Sequence, residues 1–303
     1  MPIFNEKCHG ALWGLPIGDA LGAPVEFAPR GSFQPVTDMM SGGYFQLPAG
    51  AWTDDTAMAI CLAESLIAHP SLDPQDLMER FRGWIERQEN TSTGKTIGVG
   101  QNTFRVLCHH IRTGEVFAPE TRQKSDGNGA IMRLSPVACL HWQNPEEARR
   151  IARLQSLVTH YSEKSAAACE LLAEILCKLI AGTAWNEAIE IQPYSNWPDE
   201  VQEITLGTWR KKTEPEIQST GYVVHTLEAA LWSVENSSSF SEAVLNAVNL
   251  GDDADSVAAV AGQLAGARYG FSEIPSRWLN ILAKKEHIES IANRLCVNAF
   301  EAA

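Results

Sequence analysis

The sequence has no uninterrupted run of 18 or more apolar residues, no C-x-x-C pair and comparatively little positive charge. A membrane-spanning helix needs such an apolar run, and closely paired cysteines are typical of zinc sites. The 303-residue chain has 24 basic and 37 acidic residues and therefore a net charge of −13. A field of that sign repels phosphate backbones and anionic membrane surfaces. We therefore expect neither nucleic acids nor membranes as partners.

The seven cysteines do not form a recognisable disulfide framework, because their number is odd and most have apolar neighbours. We interpret most of them as core residues. At the N-terminus, Glu6 and Lys7 precede a short apolar run that Gly14, Pro16 and Asp19 interrupt, which is unlike a signal peptide. These features predict a cytoplasmic protein.

Helical periodicity is the dominant pattern. Apolar residues recur three and four positions apart over 77–85, 104–111 and 171–179, and strand-like alternation is scarce. Cap and breaker residues predict further helices over 56–68, 146–158, 200–210, 222–235, 241–250 and 277–298. No flexible linker or repeat divides the chain, so we predict an all-α fold in one domain, 1–303, with two smaller domains as the alternative.

Two of the predicted helices carry a stripe of very small residues. The stripes recur every four positions and consist of Gly10, Gly14, Gly18 and Gly22 near the N-terminus and Ala254, Ala258, Gly262, Gly266 and Gly270 near the C-terminus. Glycine inside a helix costs about 1 kcal/mol relative to alanine, so close packing of the two helices is the simplest compensation. The alternatives are that each stripe packs elsewhere or that Pro16 breaks the first helix.

Two acidic clusters stand where helices are expected to begin. They are Thr53-Asp54-Asp55-Thr56 and Gly251-Asp252-Asp253-Ala254-Asp255-Ser256. Helix capping needs one such side chain per helix rather than several. If the clusters converge, two carboxylates ~4 Å apart repel by about 4 kcal/mol at an effective dielectric near 20, so cations must compensate. Oxygen ligands without His or Cys select Mg²⁺, Mn²⁺ or Ca²⁺, and the number of oxygen-bearing side chains in the two clusters is suited to two ions.

A glycine-rich segment lies between the clusters, from Ser125 to Arg133, with Gly127-Asn128-Gly129 at its centre. Such a loop lets a ligand approach the backbone, and its N–H groups can bind phosphate at a helix start, although a plain turn has the same composition. The loop from Gly94 to Gly100 is also glycine-rich but matches no nucleotide-binding pattern.

Taken in order, these motifs resemble the ADP-ribosylglycohydrolase family, including the dinitrogenase-reductase-activating glycohydrolases. The matching segments span about residues 8–271 and are Gly14-x-x-x-Gly18-Asp19-Ala20-x-Gly22 with Glu26, Thr53-Asp54-Asp55-Thr56, Gly127-Asn128-Gly129-x-x-Met132-Arg133, Thr159-His160 and Gly251-x-Asp253-x-Asp255-Ser256. The resemblance implies a single all-α helical bundle of that family's orthogonal type. It also implies two Mg²⁺ or Mn²⁺ ions in a cleft that accepts ADP-ribose and hydrolyses the bond at its anomeric carbon.

The resemblance assigns metal ligands in both clusters. The implied ligands are Thr53, Asp54, Asp55, Asp253, Asp255 and Ser256. Ser256 stands where the family usually has Thr, and Asp252 where a second Gly is common. Glu26 is similar to the family's mobile glutamate, which would position or deprotonate the attacking water. Without the resemblance, Glu26 would be interpreted as a surface carboxylate.

The resemblance also assigns substrate contacts. Gly98 and Gly100 would line the phosphate side of the cleft, while Asn128 and the N–H groups of Gly127 and Gly129 would bind ribose or diphosphate. The histidine implied to lie near the bound ADP-ribose is His160, for which a purely structural role is the alternative. The aromatic residue implied to stack on adenine is Tyr222, for which a place in the core is the alternative.

Asp126, directly before the Gly-Asn-Gly loop, indicates which amino acid carries the ADP-ribose. Members of the family that act on ADP-ribosyl-arginine tend to carry Asp there, where a carboxylate can hold a departing guanidinium. We therefore expect an ADP-ribosylated protein or small-molecule adduct as partner, arginine as the acceptor, and a monomeric enzyme. Serine and O-acetyl adducts are the alternatives.

Three other functions remain open at this stage. An all-α isoprenoid synthase would need a third acid where Met58 stands, and a haloacid-dehalogenase phosphatase would need a strand before Asp253-x-Asp255. A catalytically silent relative that kept the fold is the non-enzymatic alternative.

Overall fold

A computed structural model describes residues 3–119 and 125–301, and fourteen α-helices account for most of this part of the chain. Within it, β-structure is limited to isolated bridges between Gly42 and Leu47 and between Gly127 and Tyr222. The predicted all-α class is confirmed. The helices are α1 Ile3–Gly22, α2 Asp54–Ala68, α3 Pro74–Arg87, α4 Gln101–Thr113, α5 Ser135–Leu140, α6 Pro145–Thr159, α7 Glu163–Ile180, α8 Trp185–Ala188, α9 Asp199–Thr205, α10 Val223–Glu235, α11 Phe240–Val248, α12 Ala254–Tyr269, α13 Ser276–Ile281 and α14 Lys285–Glu301.

Helices α1 and α12 lie antiparallel in backbone contact along their small-residue stripes. A Cβ atom on Gly10 would lie 2.1 Å from the carbonyl oxygen of Gly266, and one on Gly14 would lie 2.0 Å from that of Gly262. Only glycine permits this approach, so the predicted pairing of the two helices is confirmed. Pro16 lies inside α1 without ending it.

The predicted helix boundaries failed where tertiary contacts or left-handed residues intervene. Helix α9 ends at Thr205 rather than at 210, just before Gly207 with φ +68°. The helix predicted over 277–298 is two helices, because the N–H and C=O of Ala283 bond instead to Gly50 O and Trp52 Nε1, both at 2.9 Å. Gly270 follows α12 with φ +104° and is not part of it.

The core is one large cluster of buried apolar side chains that extends from Cys8 to Ala299. Six of the seven cysteines are buried, as predicted for core residues, and Cys108 is exposed. Helix α12 is buried from Ala254 to Ala267, and α1, α2, α7, α10 and α11 pack around it. None of the described helices combines the length and apolar character needed to cross a bilayer.

The start of α2 is fixed by a carboxylate from another helix. Asp19 of α1 is fully buried and accepts hydrogen bonds from the backbone N–H of Thr53 at 2.9 Å and of Thr56 at 3.0 Å. It also accepts from the hydroxyls of the same two threonines at 3.0 and 2.6 Å. Because Asp19 caps α2, the acids at the start of that helix are free for another role.

Candidate active site

The two acidic clusters meet at the N-terminal ends of α2 and α12. Thr53 Oγ1 lies 3.4 Å from Asp55 Oδ2 and 3.4 Å from Asp255 Oδ2, although Thr53 and Asp255 are 202 positions apart. The tight α1–α12 pairing produces this arrangement, since Asp19 of α1 holds α2 while Gly22 of α1 contacts the backbone at Asp255. The convergence that a metal site requires is therefore present.

Glu26, in the segment after α1, places its carboxyl group next to the second acidic cluster. Glu26, Asp253 and Asp255 each place one carboxylate oxygen within 4.8 Å of the other two. The segment is held by paired backbone hydrogen bonds, because Phe27 N donates to Asp252 O at 2.7 Å and Asp252 N donates to Ala28 O at 2.8 Å. Asp252 adopts φ +55° at this contact.

These carboxyl groups are buried with few donors to satisfy them. Among the described residues, Glu26 Oε2 and Asp55 Oδ1 are buried without a hydrogen-bond partner. Burial, reinforced by the charge of Asp253, raises the pKa of Glu26 to about 8. Burial, together with the neighbouring acids, also raises the pKa values of Asp54, Asp55 and Asp255. Crowded, unpartnered oxygen ligands of this kind fit divalent cations such as Mg²⁺ or Mn²⁺.

The Gly-Asn-Gly loop is tied to the second cluster. Asn128 Nδ2 donates to Asp253 Oδ2 at 2.6 Å and to Thr226 Oγ1 at 3.0 Å, which fixes the orientation of the amide. The Asn128 N–H donates to Gly221 O at 3.1 Å, and Gly127 forms a bridge with Tyr222. The loop continues as turns up to α5, so it does not open a helix directly.

His160 packs beneath this loop as a neutral ring. Burial lowers its pKa to about 3. Arg133 Nη2 donates to Thr159 Oγ1 at 3.0 Å, and Thr159 Oγ1 shares a 2.9 Å hydrogen bond with His160 Nδ1. These two contacts fix the orientation of the imidazole ring. A Cβ on Gly129 would lie 2.8 Å from His160 Cε1, so the position requires glycine.

A cavity of about 760 Å³ opens over the clusters, large enough for a nucleotide-sized ligand. The residues of the two clusters that line it, together with Glu26, are Asp54, Asp253, Asp255 and Ser256. The other predicted residues that line it are Gly98, Gly100, Gly127, Asn128, Gly129 and His160. Thr53 and Asp55 are buried next to this lining and do not form part of it.

Two further predicted site residues, Asp126 and Tyr222, also lie outside that lining. Asp126 is partly exposed, accepts a 2.5 Å hydrogen bond from Ser162 Oγ and lies 3.8 Å from Lys164 Nζ. Tyr222 lines a neighbouring cavity of about 230 Å³, with Lys164 Nζ 5.4 Å from its ring centre. Its side chain would have to move to stack on a base in the larger cavity, so its predicted contact with adenine stays a prediction.

Sequence reasoning gave no role to several residues that shape the site, among them Asp19 and three aromatic residues. Asp19 had a signal, because it follows Gly18 on the stripe, but nothing showed that it caps α2. Three aromatic residues at the mouth of the cavity, Phe27, Tyr44 and Phe45, were also missed. The only signal for them was the position of Phe27 directly after Glu26.

Comparison with known proteins agrees with this geometry. The family model described as ADP-ribosylglycohydrolase matches residues 1–302. The chain is 41% identical, over 96% of its length and 79% of the relative, to the "ADP-ribosylarginine hydrolase Tri1" of Serratia proteamaculans. It is 32% identical, over 94% of its length and 92% of the relative, to the "ADP-ribosyl-[dinitrogen reductase] glycohydrolase" of Rhodospirillum rubrum.

A solved structure shares the architecture. The chain titled "ADP-ribosylglycohydrolase-related protein complex" superposes with a TM-score of 0.86 at 36% identity, covering 99% of this chain and all of that one. The predicted fold type is thereby confirmed. The protein belongs to the ADP-ribosylglycohydrolase family and is a hydrolase of that class.

Proposed function

We propose that this hydrolase removes ADP-ribose from ADP-ribosylated arginine and that two divalent cations, Mg²⁺ or Mn²⁺, serve the reaction. The observation that carries the proposal is that Asp54 of the first cluster and Asp253 and Asp255 of the second line one cavity. Thr53 Oγ1 of the first cluster also lies 3.4 Å from Asp255 Oδ2. The printed name of the Serratia proteamaculans relative supports arginine as the acceptor.

Six residues would hold the ions: Thr53, Asp54, Asp55, Asp253, Asp255 and Ser256. The unpartnered Oδ1 of Asp55 supports this assignment, because a buried carboxylate oxygen needs a donor or a cation. Divalent cations held there would neutralise the crowded carboxylates and would supply Lewis-acid binding for ribose hydroxyls and a water molecule. Ser256 offers the same hydroxyl oxygen as the threonine usual at its position.

Glu26 is the proposed base. Its carboxyl group lies among the acids of the second cluster, and its Oε2 has no other partner. In the protein alone, burial keeps Glu26 protonated at neutral pH, since its pKa is raised to about 8. Added positive charge nearby lowers that pKa, so that the carboxylate can orient the attacking water and accept its proton.

The Gly-Asn-Gly loop would hold the ribose and the diphosphate. Asn128 has its amide nitrogen committed to Asp253 and Thr226, so its carbonyl oxygen is available to a sugar hydroxyl. His160 would offer Nε2 of its neutral ring as a hydrogen-bonding group to the ligand. Gly98 and Gly100 expose backbone on the opposite wall, where a diphosphate can approach. Rigid contacts of this kind favour the oxocarbenium-like state in which the glycosidic bond breaks.

Asp126 would receive the leaving group. Its carboxylate is partly exposed at the start of the loop that holds the sugar, and a guanidinium can replace the long 3.8 Å contact with Lys164. A cytoplasmic location stays a prediction, supported by seven cysteines whose odd number and spacing suggest no disulfide framework. A monomeric state stays a prediction that sedimentation can test.

The test compares release of free ADP-ribose from arginine, serine and O-acetyl adducts, each with Mg²⁺ or Mn²⁺ and with excess chelator. The proposal predicts preference for the arginine adduct and loss of turnover on chelation. Preference for serine or O-acetyl adducts would show that arginine is not the acceptor. No release of ADP-ribose from any adduct would favour a catalytically silent relative.

A further inference from the structure

Three aromatic rings form a corner at the mouth of the active-site cavity, next to Glu26. Their ring centres are 5.4 Å apart for Phe27 and Tyr44, 5.0 Å for Tyr44 and Phe45, and 6.3 Å for Phe27 and Phe45. Each pair meets at a steep angle, from 67° to 90°, so the ring faces point in different directions. We call Phe27, Tyr44 and Phe45 the aromatic corner.

Two of the three rings are unusually exposed for large apolar groups, while Phe45 is partly buried against Ala23, Leu47 and Ala51. Phe27 is 58% exposed and Tyr44 is 74% exposed, although both line the cavity. Exposed aromatic surface on the rim of a binding cleft marks a place where a ligand or partner contributes the missing contacts.

The backbone around the aromatic corner holds the three rings at the mouth of the cavity. Phe27 adopts φ +66°, a left-handed conformation that is costly for a bulky residue, and a hydrogen bond from its N–H to Asp252 O holds it there. The short hairpin closed by the Gly42–Leu47 bridge brings Tyr44 and Phe45 to it. Gly43 packs so closely on the segment before Glu26 that a Cβ there would lie 2.7 Å from Ala23 O.

Two observations indicate what the aromatic corner receives. Among the described residues that line the cavity, none is Lys or Arg, and the titratable side chains are carboxyl groups, the neutral His160 and the phenol of Tyr44. The side chains of that lining therefore present no positive charge to a guanidinium at the mouth of the cavity. Aromatic faces attract such cations, and a guanidinium stacks on them especially well.

The place of the aromatic corner along the substrate follows from Glu26. The Cα atoms of Glu26 and Phe27 are about 3.8 Å apart, as in any trans peptide, so the corner adjoins the group proposed to act at the anomeric carbon. Adenine lies at the opposite end of ADP-ribose from that carbon, whereas the acceptor side chain is bonded to it. The corner therefore lies on the acceptor side rather than the base side.

We propose that Phe27, Tyr44 and Phe45 receive the guanidinium and the apolar stem of the ADP-ribosylated arginine, as a specificity element for the acceptor. This inference rests on the proposed arginine specificity. Asp126 and the aromatic corner then recognise the same acceptor by different means, a carboxylate by charge and ring faces by cation–π attraction.

The test uses substitutions that remove the ring face and keep apolar bulk, Tyr44→Leu and Phe27→Leu. Loss of a desolvated cation–π contact is expected to raise KM for an ADP-ribosyl-arginine peptide by about 5- to 30-fold. We expect kcat of Tyr44→Leu to stay within about twofold, and the affinity for free ADP-ribose by calorimetry and KM for O-acetyl-ADP-ribose to be unchanged. Tyr44→Trp, which keeps a π face, is expected to retain a low KM.

The matched control is Tyr194→Leu. Tyr194 is a partly exposed aromatic residue that packs under Arg149, with the guanidinium carbon 4.6 Å from the ring centre, and it does not line the cavity. This variant is expected to keep the parent kinetics, and melting temperatures of all variants report folding.

Four outcomes decide the matter. A rise in KM confined to the arginine adduct supports the inference. An equal loss of affinity for free ADP-ribose would overturn it, because the corner would then hold the base or sugar. Unchanged KM values for the arginine adduct in both leucine variants would also overturn it, while leaving the arginine specificity intact. If the parent enzyme cleaves serine or O-acetyl adducts instead, the proposed function itself fails, and the inference with it.

Discussion

Asn128 donates a 2.6 Å hydrogen bond from its side-chain nitrogen to Oδ2 of Asp253, which lies 125 positions further along the chain. The bond joins the loop that we propose to hold the ribose to the cluster that we propose to hold the cations. Sugar binding and metal binding are therefore expected to depend on each other.

Exchanging the amide for a carboxylate tests this dependence. Asn128→Asp places a second negative charge beside Asp253 in place of a donor. We expect kcat/KM to fall by about 10- to 100-fold, the range typical of partners that orient metal ligands, with weaker Mg²⁺ binding by calorimetry. Thr226→Val removes the other acceptor of Asn128 but adds no charge, so it should have a much smaller effect. Unaltered Mg²⁺ binding in Asn128→Asp would show that the two parts are independent.

Asp126→Asn tests the recognition of the leaving group. Removing its charge is expected to lower kcat/KM on an ADP-ribosyl-arginine peptide by about 10- to 100-fold, the value of one charge-assisted hydrogen bond to a guanidinium. Turnover of an O-acetyl adduct should stay close to the parent level.

The control for this substitution is Ser162→Ala, which removes the 2.5 Å hydrogen bond to Asp126 and keeps the carboxylate. It should lose less activity than Asp126→Asn. Unchanged turnover of the arginine adduct by Asp126→Asn would remove this residue from the mechanism.

The pH dependence of stability offers a test without any substrate. The carboxyl group of Glu26 has a pKa raised from 4.5 to about 8 by burial, so the folded state without added metal keeps a proton that the unfolded chain releases. The unfolded state thus binds fewer protons, and the free energy of unfolding falls as the pH rises from about 4.5 to about 8. Melting temperatures measured with chelator should show this decline.

The same measurement on Glu26→Gln isolates the contribution of Glu26. Because glutamine does not titrate, the decline between acid and neutral pH should be shallower in the variant than in the parent, both with chelator. Saturating Mg²⁺ should flatten the parent curve, since compensated carboxylates no longer need protons. Parallel curves for the variant and the parent would contradict a raised pKa at Glu26.

Gly14→Ala tests the packing that brings the two clusters together. The added methyl group would lie 2.0 Å from Gly262 O, so the two helices must separate. We expect a net loss of about 2–3 kcal/mol in the free energy of unfolding, despite the better helix propensity of alanine. Urea denaturation measures this change.

Gly100→Ala is the matched control for stability, because the nearest atom to its new methyl group is 3.9 Å away. Its free energy of unfolding should stay within about 0.5 kcal/mol of the parent value. If Gly14→Ala were as stable as Gly100→Ala, the close approach of α1 and α12 would be wrong.

Features with a local cause were predictable from the sequence. The start of α12 at Ala254 follows from the polar residues before an apolar run, and the contact of Gly14 with Gly262 follows from glycines repeated on one helix face. The sequence indicated a shared role for the acidic clusters, because several acids at two helix starts exceed what capping needs, but it did not establish that they converge.

Features that depend on distant partners were not predictable. The break between α13 and α14 arises because Ala283 bonds to Gly50 and Trp52, which no local pattern indicates. The capping of α2 by Asp19 likewise depends on how two helices cross. The aromatic corner was missed because Tyr44 and Phe45 stand in a loop, where aromatic residues carry no periodic signal.

The central claim is that one divalent-metal site is formed jointly by the two acidic clusters. The most direct measurement is an anomalous difference map from crystals grown with Mn²⁺. The account predicts two peaks at the bottom of the cavity, with ligand oxygens from Asp54 and Asp55 on one side and from Asp253 and Asp255 on the other. Strong Mn²⁺ peaks elsewhere and none between these residues, in an enzyme that still turns over, would contradict it.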